Sequence, residues 1–168
     1  MNRSASRRCG IGVLALWGGA VAGLVHAGFS LFWALGGRWL LDTVGAWAVD
    51  LTRDRPVAAA VGLLAVAAVK TAGALLPVLA TTGRAPWPRL WRGLAWCGAI
   101  VLVVYGALNA VVSGLVLAGL VVAAGGHDRS AMIGHAFLWD PLFLLWGLLL
   151  LAGLAMTRPS SSPFSSHR

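Results

Sequence analysis

Four long apolar runs, separated by short polar stretches, make up most of the chain. A helix needs about 20 such residues to cross roughly 30 Å of hydrocarbon. The runs cover about residues 11–35, 56–80, 94–124 and 138–156. Backbone groups must be paired within the segment in lipid, and no strand alternation is seen, so each run predicts a helix. We therefore expect an all-α fold, an integral membrane four-helix bundle whose transmembrane domain covers residues 11–156.

Composition agrees with a membrane protein. Of the 168 residues 59% are hydrophobic and 11% are charged, and the mean hydropathy is +0.83. Soluble domains have roughly 25% charged residues. The net charge of +8 could indicate nucleic acid, but the basic residues lie between the apolar runs rather than on a soluble face. We expect the lipid bilayer as partner and no nucleic acid.

The distribution of charge predicts the topology. With four spans, the N-terminus, the middle loop and the C-terminus share a side that carries no acid and carries Arg3, Arg7, Arg8, Arg84, Arg89, Arg92, Arg158 and Arg168. The other side holds Asp42, Asp50, Asp54, Asp128 and Asp140 beside Arg38, Arg53, Arg55 and Arg129. The excess of arginine predicts that both termini are cytoplasmic. The Ala, Gly, Leu, Val and Arg bias indicates a high-GC bacterial genome, and we expect the protein in the bacterial plasma membrane.

The segments outside the spans divide into three kinds. Residues 1–10 form a basic cytoplasmic N-terminus, and residues 157–168, rich in Ser and Pro, predict a disordered cytoplasmic tail. The first outer loop has apolar residues at Leu40, Val44, Trp47, Ala48 and Leu51, a spacing that predicts a short interfacial helix. Tryptophans are expected at the two interfaces, with Trp87, Trp91 and Trp96 inside and Trp39, Trp47 and Trp139 outside.

The first run has a second interpretation. Basic residues, an apolar stretch and then Val25-His26-Ala27 resemble a signal peptide with a small-residue cleavage site. The apolar run continues past this point to Trp33, which favours an uncleaved span.

Lys70 lies near the middle of the second run and is the chain's one lysine. An ammonium at that depth costs from about 2.5 to more than 10 kcal/mol in hydrocarbon. Small residues one turn away, including Ala67, Gly73 and Ala74, favour a neighbouring helix over lipid at this face. We expect Lys70 to face protein or a polar cavity.

Other polar residues could line the same cavity. His26, Ser30 and Trp33 follow one another by about a turn in the first run, and Tyr105, Asn109 and Ser113 are spaced i, i+4, i+8 in the third. Hydrogen bonds between helices, worth about 0.6–2 kcal/mol each, explain such residues without a function. The functional interpretation is a cavity wall in which His26 carries protons or contacts a ligand.

Asp140, followed by Pro141, is placed to N-cap the fourth helix. It is also predicted at the outer mouth of the cavity, where it could pair with His26 or His135. In the first run Gly19 and Gly23 form a GxxxG motif, for which packing within the bundle is favoured over a dimer interface.

Signals of catalysis and of metal or cofactor binding are missing from the sequence. There is no P-loop, GxSxG, HExxH or dinucleotide glycine motif. Cys9 and Cys97 form no CxxC motif and have no neighbouring histidine. We expect no metal and no cofactor, and no residue is assigned a catalytic role.

Two stretches carry a family resemblance: His26 to Gly45, which includes Trp33 and Trp39, and Gly134 to Gly147, which includes Trp139-Asp140-Pro141. They resemble a family of small four-span bacterial membrane proteins, common in actinomycetes, filed as a domain of unknown function. The resemblance covers most of residues 11–156. It implies fold and location, and it transfers no activity.

Three functions fit these observations. The first is ligand binding, sensing or an accessory role, with a polar cavity inside the membrane. The second is an intramembrane enzyme that acts on a lipidic substrate, with Lys70 or His26 moving protons. The third is a small transporter, which would have to be an oligomer, built through Gly19 and Gly23. A homo-oligomer or a membrane partner protein is compatible with the first as well.

Overall fold

The computed structural model describes residues 3–122 and 126–157, and every regular element in those ranges is helical. The elements are α1 (Arg3–Ala34), α2 (Ala46–Asp54), α3 (Pro56–Thr81), α4 (Pro88–Leu117), α5 (Arg129–Gly134), a π-helical turn (His135–Trp139) and α6 (Asp140–Met156). Within the described ranges four segments are long and apolar enough to span a membrane: Ser6–Ala34, Pro56–Thr81, Pro88–Leu117 and Arg129–Met156. The all-α four-helix fold class is confirmed, and it is the architecture of a multi-pass membrane protein.

The long helices are antiparallel neighbours. α1 packs against α3 on one side and α6 on the other, and α6 also packs against α4, whereas α3 and α4 contact each other much less. Glycines make the close contacts possible. A Cβ on Gly106 would lie 2.6 Å from the Asp140 carbonyl oxygen, and one on Gly147 would lie 2.9 Å from that of Ala99. Such contacts drive helix association in lipid, where the hydrophobic effect is absent.

The central core is formed largely by small and branched residues of all four long helices. Its members are Leu16, Ala20, Ala22, Ala74, Val78, Ala95, Ala99, Trp146, Leu150 and Leu154. A second, smaller core lies where α2 and the loop before it cover the ends of α1 and α6, and contains Trp33, Leu41, Ala48 and Trp139. The bundle therefore has a separate packed layer at the end that carries α2.

The third long helix differs from the predicted span of 94–124. It begins at Pro88, where the missing N–H costs nothing at a first helical position, and ends at Leu117. Gly119 has φ +71°, and the N–H groups of Gly119 and Leu120 bond back to the carbonyls of Val116 and Leu115. This is a Schellman motif, which terminates the helix although the sequence stays apolar beyond it. Residues 123–125 lie outside the described residues.

The helix of the first loop is shorter than the apolar spacing suggested. Leu40 has φ +61°, a conformation that a helix cannot contain, and α2 starts only at Ala46. Ala48 is buried whereas Trp47 is exposed. Near the end of α2 a hydrogen bond with Asp54, together with the charges of Asp54 and Asp50, raises the pKa of Arg53. These exposed ion pairs add little to stability.

The fourth long segment begins well before the predicted residue 138. Asp128 caps α5 by accepting a hydrogen bond from the Ala131 N–H at 3.2 Å, and the chain stays helical to Met156. Asp140 is therefore inside the helix, and the expectation that it caps the fourth helix is wrong. Pro141 cannot donate a hydrogen bond to the carbonyl of the fourth residue before it, and the helix widens into the π-helical turn directly upstream.

The predicted disordered tail, residues 157–168, lies outside the described residues except for Thr157. At that end of the bundle Arg92 donates hydrogen bonds to Thr81 Oγ1 at 3.0 Å, to Thr157 Oγ1 at 3.3 Å and to the Leu154 carbonyl at 3.2 Å. Together these bonds tie α3, α4 and α6 at the end that carries most of the arginines. We call it the basic end.

Candidate functional site

The side chain of Lys70 reaches from α3 to α1. Its Nζ lies 3.0 Å from His26 Nδ1 and 3.0 Å from Ser30 Oγ. His26 and Ser30 are four residues apart on one helix, so they share a face and meet the same amine. Both are buried, at 5% and 1% exposure, whereas Lys70 is half-buried. The structure brings together three of the residues predicted to line the cavity.

The hydrogen bonds around Lys70 constrain the donor and acceptor roles of its two partners. The Ser30 hydroxyl donates to the His26 carbonyl at 3.3 Å, so its oxygen accepts from Lys70. As an ammonium Lys70 can only donate, and His26 Nδ1 then accepts. With that ammonium the proton of a neutral His26 imidazole is on Nε2, a buried atom without a hydrogen-bond partner in the described residues. Lys70 thus donates both of its hydrogen bonds to uncharged acceptors.

An aromatic ring completes the surroundings of the amine. Phe143 of α6 stacks on His26 with ring centroids 3.9 Å apart and an interplanar angle of 28°. Lys70 Nζ lies 5.5 Å from the centroid of the same ring, within the range of a cation–π interaction. Sequence reasoning did not assign Phe143 to the site. The signal in the sequence is the spacing of Trp139, Phe143 and Trp146, which places three aromatic rings on one helix face.

No carboxylate balances Lys70 within residues 3–122 and 126–157. The ion pairs found there join Arg53 to Asp50, Arg53 to Asp54, and His135 to Asp140. Asp140, the acidic residue of α6, is thus already paired with His135. An ammonium at Lys70 would have neutral donors and acceptors and an aromatic face around it, but no counter-charge in that part of the chain.

Lys70 also lines a groove between α3 and α4, with a volume of about 460 Å³. The rest of the lining is mainly apolar and includes Gly73 and Pro77 of α3, Gly98 and Val101 of α4, and Phe143 and Trp146 of α6. The groove opens on the outer surface of the bundle, since lining residues such as Val69 and Val101 are 72% and 63% exposed. Its volume falls within the range of small-molecule pockets, about 300–1,000 Å³.

The predicted polar wall of α4 does not form as one surface. Tyr105 is half exposed and its ring meets Phe143 edge-on at 5.8 Å, whereas Ser113 is buried. Asn109 donates to the Tyr105 carbonyl at 2.9 Å. No hydrogen bond found in the described ranges joins any of the three to Lys70. A spacing of four residues drifts by about 40° per step around a helix, which separates Ser113 from Tyr105.

Trp33 belongs to the second core and does not contact Lys70. It donates a hydrogen bond from Nε1 to the Trp39 carbonyl at 2.9 Å and packs edge-on against Trp139 at 5.2 Å. Trp139 was expected at the outer interface, but it is 3% exposed and donates to Thr43 Oγ1 at 3.0 Å. That expectation is wrong because the first loop folds over the ring.

Asp140 does not stand at the mouth of the groove. It is 1% exposed, and its Oδ2 lies 2.9 Å from His135 Nδ1. Of the two imidazoles suggested as partners, His135 is the one it meets. The acid belongs to the layer of α2 and the π-helical turn, and the placement of Asp140 at the cavity mouth is wrong.

Gly19 and Gly23 face other helices of the same chain. A Cβ on Gly19 would lie 3.4 Å from the backbone of Trp146 and of Leu150, and one on Gly23 would lie 2.7 Å from the Trp146 ring and 2.9 Å from Ala74 Cβ. The face suggested for a dimer is therefore covered by α6 and α3.

No group of three or more His, Cys, Asp or Glu side chains that could hold a metal ion is found among the described residues. Cys9 and Cys97 are free and exposed.

The comparison with protein families gives a match that covers most of the chain. Residues 23–150 match the model of the family described as "Protein of unknown function (DUF3995)", a stretch that contains the Lys70 site and the whole groove. Neither the curated proteins nor the solved structures contain a match to the chain.

Proposed function

We propose that this chain, which belongs to the DUF3995 family, binds a lipidic ligand in the groove between α3 and α4. Lys70 is the polar contact for the ligand, and the apolar walls hold its hydrocarbon part. The observation that carries the proposal is a lysine amine, held by His26 and Ser30, at the edge of an apolar groove on the lipid-facing surface.

The energetics favour a ligand at this place. A lysine amine in hydrocarbon is expensive, and polar groups inside membranes are functional candidates for that reason. The two hydrogen bonds and the face of Phe143 lower the cost without supplying an opposite charge. A ligand with an acceptor oxygen would lower it further.

The groove is long enough for a hydrocarbon chain that extends from Lys70 towards the basic end. Trp91 and Val101, both in its lining, are ten residues apart on α4, which is about 15 Å at about 1.5 Å per residue. That is half of a hydrocarbon core about 30 Å thick. The groove thus matches one leaflet, from the middle of the bundle towards the basic end.

The cellular role that we propose is a sensor or accessory subunit in the bacterial plasma membrane, with both termini in the cytoplasm. Lipid occupancy would then be read by a membrane partner protein or by a second copy of the chain. The arginines of the basic end support the orientation through the positive-inside rule.

An intramembrane enzyme is the second candidate, favoured by the 3.0 Å contact between Lys70 Nζ and Ser30 Oγ. Amine-activated hydroxyls are known nucleophiles. Against this role, Ser30 is 1% exposed and its hydroxyl donates to a backbone carbonyl of its own helix. Binding accounts for the same contact without an attacking group. Lys70→Arg and His26→Gln would abolish turnover in an enzyme while leaving the fold intact.

A transporter assembled through Gly19 and Gly23 has less support, since α6 and α3 occupy that face.

The binding proposal is tested by filling the groove. Gly98 lines it, and a Cβ there would meet nothing within 4 Å. Gly98→Leu should fold normally and occupy the space of the ligand. Lipids extracted from the purified protein in mild detergent would be quantified by mass spectrometry. We expect one lipid class, near molar proportion in the wild type, to fall at least five-fold in Gly98→Leu.

The matched control is Gly93→Leu on the same helix, where a Cβ also meets nothing within 4 Å but which lies outside the groove. It should retain the lipid. Equal lipid content in the wild type and both variants would overturn the proposal.

A further inference from the structure

We infer that the ligand of the groove is a long-chain carboxylic acid, with its carboxyl group at Lys70 and its chain directed towards Trp91. This inference rests on the proposed lipid-binding function and names the chemical class of the ligand. It follows from three properties of the groove: the missing counter-charge at Lys70, the mid-membrane depth of Lys70, and the volume of the groove.

The missing counter-charge points to an acid. Lys70 Nζ donates to the neutral acceptors His26 Nδ1 and Ser30 Oγ and lies over Phe143, and no carboxylate pairs with it within the described ranges. Asp140, the acid of α6, is paired with His135. A ligand carboxylate would supply the opposite charge and could accept a short, charge-assisted hydrogen bond.

The depth of Lys70 distinguishes a carboxylic acid from other acidic lipids. Lys70 lies near the middle of α3, well inside a span, so the ligand's acidic group must travel through hydrocarbon to reach it. A phosphodiester stays ionised and would cross at high cost. A carboxylic acid can enter in its neutral form. Without a carboxylate nearby among the described residues the Lys70 amine is held uncharged, so the O–H proton of the acid moves to Nζ, and the resulting ammonium has the ligand carboxylate as its counter-charge.

The volume of the groove, about 460 Å³, favours one chain over a two-chain lipid. The apolar lining runs along α3 and α4 from Lys70 to Trp91, and the α6 side is closed by Phe143 and Trp146. One extended hydrocarbon chain fits a single slot of this kind beside the helices. Neutral single-chain lipids such as alcohols would fill the same slot but leave the amine without its counter-ion.

The test uses three photoreactive probes of equal chain length: a diazirine-labelled hexadecanoic acid, its primary alcohol and its methyl ester. Each is added to the full-length protein in phosphatidylcholine nanodiscs and irradiated, and labelled peptides are identified by mass spectrometry. We expect the acid to label α3 and α4 residues of the groove at least ten-fold more than the alcohol or the ester. Lys70→Met should remove this preference, and Thr71→Met, which alters a neighbouring residue outside the groove lining, should keep it.

The outcomes separate the inference from the proposed function. If the three probes label the groove equally and Gly98→Leu abolishes labelling by all three, the lipid-binding function stands. The assignment of the ligand as a carboxylic acid is then wrong. If no probe labels the groove above the level of Gly98→Leu, the binding function itself fails. If the acid preference survives Lys70→Met, Lys70 is not the anchor and the inference is overturned.

Discussion

His135 and Asp140 are joined by a 2.9 Å hydrogen bond across the π-helical turn, from Nδ1 to Oδ2. The other ring nitrogen, Nε2, donates to the carbonyl of Val44 at 3.3 Å. A carbonyl oxygen only accepts hydrogen bonds, so Nε2 carries a proton. A second proton lies between Nδ1 and the carboxyl group of Asp140. The imidazole thus links the α5–α6 segment to the loop before α2, a second polar centre that is separate from Lys70.

The contact between His135 and Asp140 predicts how single and double variants differ in their free energy of unfolding. His135→Leu leaves the carboxyl group of Asp140, which is 1% exposed, without its partner, and should lower the free energy of unfolding by about 3–5 kcal/mol. The double variant His135→Leu/Asp140→Leu should lose clearly less than His135→Leu alone, because no stranded acid remains. Unfolding in mixed SDS micelles, followed by tryptophan fluorescence, gives these values.

Phe137→Leu is the control for that series, since Phe137 belongs to the same π-helical turn and is 73% exposed. It should behave like the wild type. If the double variant is less stable than His135→Leu, the two side chains are not coupled in the way described.

Packing through glycine gives a second prediction. In Gly23→Ala the new Cβ would lie 2.7 Å from the Trp146 ring and 2.9 Å from Ala74 Cβ, so α1, α3 and α6 must move apart. We expect a loss of about 1–3 kcal/mol in the free energy of unfolding. Gly28→Ala on the same helix, where a Cβ meets nothing within 4 Å, should not be destabilised. SDS unfolding of the two variants measures the difference, and equal losses would contradict this packing.

Much of the fold was predictable from the sequence because hydrocarbon permits few solutions. An apolar run of span length has to be a helix, and α3 (Pro56–Thr81) follows its run closely. The ends of the helices were predictable only where the sequence has a strong start or stop signal, such as Pro56 at the start of α3. The end of α4 depended on the Schellman motif at Gly119, and glycine is too common in this chain for one such residue to be recognised.

The site was partly predictable for a related reason. The cost of a lysine in lipid indicates that Lys70 must find partners, and His26 and Ser30 were near enough in predicted depth to be proposed. The rotation of each helix about its axis is not encoded in spacing alone. Tyr105 and Asn109 therefore could not be placed relative to Lys70, and the pairing of Asp140 with His135 depended on a π-helical turn that periodicity does not reveal.

We expect the single variant His26→Phe and the double variant Lys70→Met/His26→Phe to differ in stability. His26→Phe alone removes an acceptor of Lys70 and should destabilise the fold, by about 1–3 kcal/mol. Lys70→Met/His26→Phe removes both polar partners, keeps an aromatic ring on Phe143, and should be at least as stable as the wild type. Thermal denaturation in detergent compares the two. A double variant less stable than His26→Phe would mean that Lys70 holds the bundle together, and would remove the basis for treating it as a ligand contact.

The orientation of the bundle gives the last prediction. The loop between α3 and α4 carries Arg84 at the basic end, and α2 carries Asp50 beyond the opposite end. In a background with Cys9→Ser and Cys97→Ser, we introduce Arg84→Cys or Asp50→Cys, both exposed positions. The positive-inside rule predicts that a membrane-impermeant maleimide labels Asp50→Cys in intact cells and labels Arg84→Cys only after permeabilisation. Labelling of Arg84→Cys in intact cells would reverse the proposed topology, and with it the leaflet from which a lipid enters the groove beside Lys70.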